Sequence, residues 1–135
     1  MANTIKETIT LSISGPNFSA SLGGSATSTQ IGSNYTEESG LAETAAGVPI
    51  DINGKITEGN LGYLVVRNIA APLPTPATAA DQPFIDIATD DAMANKIATI
   101  QPGKGSFIAV PGGTVALWAK GNLVDVPYVF LAIEK

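Results

Sequence analysis

At 135 residues the chain is sized for one domain, and it contains neither cysteine nor histidine, so it has no disulfide framework, no thiolate metal site and no histidine general base. Serine–histidine triads, cysteine nucleophiles and most zinc chemistry are thereby excluded. Twelve acidic against seven basic residues give a formal charge of -5, and the basic ones (Lys6, Lys55, Arg67, Lys96, Lys104, Lys120, Lys135) stand singly, a pattern unsuited to nucleic acid.

Residues 4–14, TIKETITLSIS, alternate Ile5, Ile9, Leu11 and Ile13 with Lys6, Thr8, Thr10 and Ser12, as a strand with one wet face does. Gly15 and Pro16 stop it. NFSASLG resumes the alternation through Phe18, Ala20 and Leu22, and Gly23-Gly24 predicts a second turn, so the start reads as a hairpin. Residues 25–40 are rich in serine and threonine and predict a polar edge strand to about residue 32, followed by loop. LAETAA, 41–46, has helical propensity but is too short before Gly47 to count as a helix. VPIDI then leads to Asn53-Gly54, the strongest short hairpin signal in the chain, with KIT as the return.

LGYLVVRNI, 61–69, places Leu61, Tyr63, Val65, Arg67 and Ile69 on one face and Leu64, Val66 and Asn68 on the other, so it belongs at the centre of the fold. Arg67 reads as a rim residue with its stem packed down. Four prolines in 70–83 make a surface excursion, either a spacer or an arm lying on a neighbouring subunit. Phe84, Ile85 and Ile87 begin another strand, TDDAMA interrupts it, and KIATI leads into Pro102-Gly103. SFIAV, TVALWAK and VPYVFLAIEK, joined by PGG and GNLVD, read as a C-terminal meander with apolar residues on both faces. The expected fold is all-β, an antiparallel β-sandwich or small jelly-roll-like barrel of about eight strands, in a single domain over 1–135.

The chemistry is sparse. Asp86, Asp90 and Asp91, or Asp51 with Glu58, are the close carboxylates apart from Glu37-Glu38, and each reads as a solvated loop. DINGKITEG lacks the ligand register of a calcium loop, and GKGS at 103–106 lacks the upstream glycine and the ending of a phosphate-binding loop. No catalytic residue, metal site or cofactor is expected. MANTIKETIT has no basic stretch followed by an apolar core, and no run approaches about 18 apolar residues, so the expectation is cytoplasmic synthesis, no secretion and no membrane partner.

Gly62 to Asn68, then Pro102-Gly103, Val115 to Ala119 and the closing strand with Glu134 give residues 48–135 a pattern that resembles small β-sandwich structural proteins of tailed-bacteriophage virions. The resemblance implies a non-enzymatic protein of the particle, made in the host cytoplasm, that reinforces or decorates the capsid as a cement protein. Its implied partners are itself, as a trimer or higher ring, and the major capsid protein or a tail component. A tail or head-tail adaptor component is one alternative. Another is a carbohydrate-binding or host-recognition module using Tyr35, Asn34 and Trp118. Tyr63, Trp118, Tyr128 and Phe130 are the candidate interface anchors, since aromatic residues bury much area for little rotamer entropy.

Overall fold

The computed structural model describes residues 3–15, 18–30, 35–50, 52, 55–57, 59–74, 78, 80–114, 116–123 and 125–134. The described residues form ten strands and no helix. They divide into two compact units, Met1–Ser33 and Asn34–Lys135.

The first unit is a hairpin of β1 (Asn3–Gly15) and β2 (Phe18–Gln30), each 13 residues long. The strands pair without interruption from Asn3 opposite Gln30 to Gly15 opposite Phe18. Gly23 and Gly24 therefore do not turn the chain: they sit within β2, opposite Thr10 and Ile9. The serine- and threonine-rich stretch is strand through Gln30, and strand resumes at Tyr35 where loop was expected.

The second unit is a sandwich of two four-stranded antiparallel sheets. One has the order β3-β10-β5-β8, with β3 (Tyr35–Ala42), β5 (Leu61–Asn68), β8 (Gly105–Ala109) and β10 (Val126–Glu134). The other has the order β4-β9-β6-β7, with β4 (Val48–Pro49), β6 (Ile85–Ala88), β7 (Lys96–Ile100) and β9 (Trp118–Gly121). From β3 onward the chain changes sheet at almost every connection, and only β6 and β7 are sequential neighbours within a sheet. The predicted turns exist: Lys104 N–H donates to the Gln101 carbonyl around Pro102-Gly103, and Thr114 N–H to the Pro111 carbonyl around Gly112-Gly113. Gly103 and Gly113 have φ of 71° and 81°, which only glycine adopts without strain. These turns, however, connect strands of opposite sheets, so β8, β9 and β10 do not form the expected meander. LAETAA ends β3 and continues as bends, and residues 55–57 are not strand; the Asn53-Gly54 turn itself lies outside the described residues.

Alternation on β10 sends Val126, Tyr128, Phe130 and Ala132 inward against Leu64 and Val66 of β5, and Ile85, Ile87 and Ala119 close the core from the facing sheet. Tyr128 reaches inward because Gly40 on β3 has no side chain: a Cβ there would sit 2.5 Å from the tyrosine ring. Leu61 departs from the simple alternation. A register shift at Ile133/Glu134 pairs Glu134 with Leu61, and Leu61 is buried with the core rather than exposed beside Tyr63 and Val65.

Polar side chains fasten the long excursion between β5 and β6. Buried Asn68 donates through Nδ2 to the carbonyls of Pro83 at 2.6 Å and Ile100 at 3.0 Å, and its Oδ1 accepts the Ala70 N–H at 2.9 Å. Asn122 Nδ2 donates to the Ala80 and Gln82 carbonyls, and its Oδ1 accepts the Phe84 N–H. The Gln82 amide in turn satisfies both the N–H and the carbonyl of Leu73. The described part of the proline-rich segment is thus held by amides standing in for ladder partners that proline cannot supply. Replacing Asn68 with alanine leaves two buried carbonyls and an N–H without their partner, and the urea midpoint is expected to fall by the equivalent of at least about 2 kcal/mol. An unchanged midpoint would show that the latch is dispensable.

Candidate functional site

The outer face of the β3-β10-β5-β8 sheet is built by the residues that β10 does not send inward. Register aligns them in rows. Tyr35, Ile133, Tyr63 and Ala109 form one row, and Glu37, Leu131, Val65 and Phe107 the next. Ser39, Val129, Arg67 and Gly105 form the third, and Pro127 of β10 opposite Leu41 of β3 begins the next. Phe107, Val65, Tyr35 and Leu41 are exposed, at 43%, 36%, 64% and 53% of their surface. Tyr63 and Phe107 support each other across β5 and β8, with ring centroids 5.4 Å apart and planes tilted by 38°.

Only two charged side chains interrupt these rows, Glu37 on β3 and Arg67 on β5. Among the described residues the ion pairs are Lys55 with Glu38 at 3.1 Å and Lys96 with Asp86 at 2.6 Å, so neither Glu37 nor Arg67 is engaged in one. Between them lies a shallow depression of about 250 Å³ floored by Val65, Val129, Phe130 and Leu131. The outward positions of the other sheet differ: Asp86 and Ala88 lie opposite Lys120 and Trp118, and Asp86 also accepts from Thr99 and pairs with Lys96. One outer face is apolar with an isolated acid and base, whereas the other carries a compact polar network.

The four aromatic residues named as candidate interface anchors do not share one surface. Tyr128 and Phe130 are 2% and 3% exposed and belong to the core, their rings 6.2 Å apart. The parity of β10 and the opening at Gly40 explain why Tyr128 and Phe130 point inward. Trp118 is half-buried on β9, in the other sheet, where its Cβ and Met93 Sδ occupy the space left by Gly47. Tyr63 alone of the four lies on the apolar outer face. The residues missed from the sequence are Val65, Phe107, Leu131 and the Glu37 and Arg67 pair of charges; the alternation Tyr63-Val65-Arg67 is their signal. Tyr35 shares that face, but Trp118 does not, so no joint aromatic platform forms between them, and Asn34 lies outside the described residues.

The carboxylates have local work. Asp90 accepts the N–H groups of Ala94 at 2.9 Å and Asn95 at 2.7 Å, and these bonds hold its carboxyl below the ordinary value of 3.8. They close the 89–95 loop, whose Met93 adopts a φ of 58° and is buried. The hydroxyl and N–H of Thr78 likewise lower the Asp81 carboxyl. Asp51 and Glu58 lie outside the described residues. Among the described residues no three His, Cys, Asp or Glu side chains are grouped to hold a metal ion.

The site thus defined is an apolar sheet face on a β-sandwich. No protein-family model, curated protein or solved structure matches the chain.

Burial pushes the Tyr128 phenol up from 10.0 to about 12. Because the folded value lies above the unfolded one, the stabilisation is fully present below pH 10 and is lost as pH rises from 10 toward about 12, where the unfolded phenol ionises first. Melting temperatures of the wild type and Tyr128→Phe are expected to keep a constant difference up to pH 10 and to converge, or cross in favour of the phenylalanine variant, above it. Curves that remain parallel to pH 12 would place the hydroxyl in water.

Proposed function

We propose that this is a non-enzymatic assembly protein that works by surface contact, in the manner of the virion decoration and cement proteins its sequence resembles. The observation that carries the reading is the outer face of the β3-β10-β5-β8 sheet, where Tyr63, Val65, Phe107, Val129 and Leu131 stand side by side with two charges among them. Contiguous apolar surface rimmed by polar residues is the usual mark of a contact surface, and aromatic residues at its centre supply most of the energy of such contacts. On a particle, many copies of one modest contact give strong attachment through symmetry. The major capsid protein is the proposed partner, with a tail or head-tail component as the same mechanism at another location.

The test uses variants that keep the wild-type melting temperature. Phe107→Ala and Val65→Asp are expected to weaken saturable binding to capsids assembled without the protein by at least about tenfold each, since loss of a major contact costs more than about 1.4 kcal/mol. Trp118→Ala, on the other sheet, is expected to leave binding unchanged. Binding to capsids that ignores both outer-face variants would remove the face from the mechanism. Failure of the wild type to bind capsids or tails, together with selective binding on a glycan panel, would replace the assembly reading with carbohydrate recognition.

A further inference from the structure

We infer that the apolar outer face pairs with the same face of a second copy of the chain about a two-fold axis crossing β10 between Val129 and Leu131, with Arg67 of each copy meeting Glu37 of the partner subunit. The inference rests on the reading of this face as a contact surface and names a second copy as its occupant in the free protein, a copy that the capsid protein would displace on the particle.

The argument begins with register. Glu37 on β3 is opposite Leu131, and Arg67 on β5 is opposite Val129. The acid and the base therefore flank the central strand β10 on opposite sides, and their midpoint falls on β10 between its two outward apolar residues. A two-fold axis lying in the interface plane, through that midpoint and perpendicular to the line joining the charges, exchanges the two positions. Any two opposite charges on a flat face admit such an axis. Here it also passes through the centre of the apolar rows and over the depression of about 250 Å³ lined by both charges. A partner of different sequence has to provide an acid and a base at these swapped positions, whereas a second copy presents them through symmetry alone, as an isologous interface requires.

Charge decides the occupant because area does not. Strands about 4.8 Å apart and residues about 3.4 Å apart give the four-stranded face a footprint of roughly 19 Å by 20 Å, or about 400 Å² per copy. That is near the size of the largest apolar patch on an ordinary monomer and below the roughly 800 Å² per partner of a standard stable interface. The pair should therefore be dilution-sensitive. Its two symmetry-related Arg–Glu contacts fix orientation and exclude other registers of two otherwise smooth apolar faces. The sequence resemblance suggests a trimer or ring; the charge layout on this face instead fits a two-fold pair.

Sedimentation velocity of the full chain over a dilution series tests the inference. The wild type is expected to shift from monomer to dimer with rising concentration. Arg67→Glu and Glu37→Arg, each confirmed folded by its melting temperature, are expected to weaken dimerisation at least about tenfold, because each places like charges in contact. The double variant carrying both changes restores opposite charges and is expected to return to within about threefold of the wild type. A wild type that stays monomeric, single variants that dimerise normally, or a double variant as weak as the singles would each overturn the two-fold pairing. Capsid binding measured on the same samples separates the two ideas. A monomeric wild type that still binds capsids through this face overturns the pairing and leaves the assembly reading intact, whereas loss of both overturns both.

Discussion

The second unit depends on one buried amide. Asn68 ends β5 in one sheet, yet its Nδ2 bonds the carbonyl of Ile100 at the end of β7 in the other sheet and the carbonyl of Pro83 just before β6. Its own N–H and carbonyl are engaged by Lys104 and Gly103. A single side chain thus ties the central strand of one sheet to two segments of the facing one at the open end of the sandwich. Fully satisfied, such a group fixes geometry that apolar contacts alone leave adjustable; half satisfied, it would cost more than an apolar replacement. Asn122 repeats the device at the end of β9. Together they let a proline-rich connection leave and re-enter the core at defined points.

With the sheets located, the choice of face on β10 follows from volume. Both sets of alternate residues, Tyr128-Phe130-Ala132 and Val129-Leu131-Ile133, are apolar enough to be buried. The tyrosine set is the one that fits, because Gly40 removes the side chain that would occupy the tyrosine ring's position. The aliphatic set is therefore left outside, next to Tyr63 and Val65 on β5. The apolar outer face is the counterpart of the core's packing, and its residues are fixed by the same backbone that fixes the core.

The positions of β5 and β10 were legible from the sequence because they rest on local period-two patterning, which governs LGYLVVRN and VPYVFLAIE regardless of their neighbours. Pairing was not legible. PGG and GNLVD look like the connections of a meander, but a short turn joins adjacent strands in one sheet or corners between two with the same residues, and the decision lies in distant contacts such as β5 with β8. Gly23-Gly24 has the composition of a turn and the location of a strand, since glycine permits a bend without compelling one. That Tyr128 and Phe130 belong to the core was hidden for a related reason. Hydrophobicity marks Tyr128, Phe130 and Trp118 as valuable but does not say whether the chain or a partner buries them. Arg67 faces outward on the inner strand β5, and its relation to Glu37 depends on two strand pairings that no local pattern encodes.

The distribution of charge in the sandwich gives the apolar face its significance. In the polar sheet, Asp86 pairs with Lys96 and accepts from Thr99, so its charge serves internal order. The outer face of the other sheet carries one acid and one base whose formal charges cancel. Solubility of the free chain must then come from the net charge of -5 distributed elsewhere, while long-range repulsion over this face is minimal. Two like charges in the positions of Glu37 and Arg67 would have protected the face from contact more effectively. Opposite charges, set on either side of the central strand, oppose nonspecific burial through desolvation but reward the one arrangement that pairs them. That combination selects geometry more than affinity, which is what the proposed two-fold pairing of this face would need.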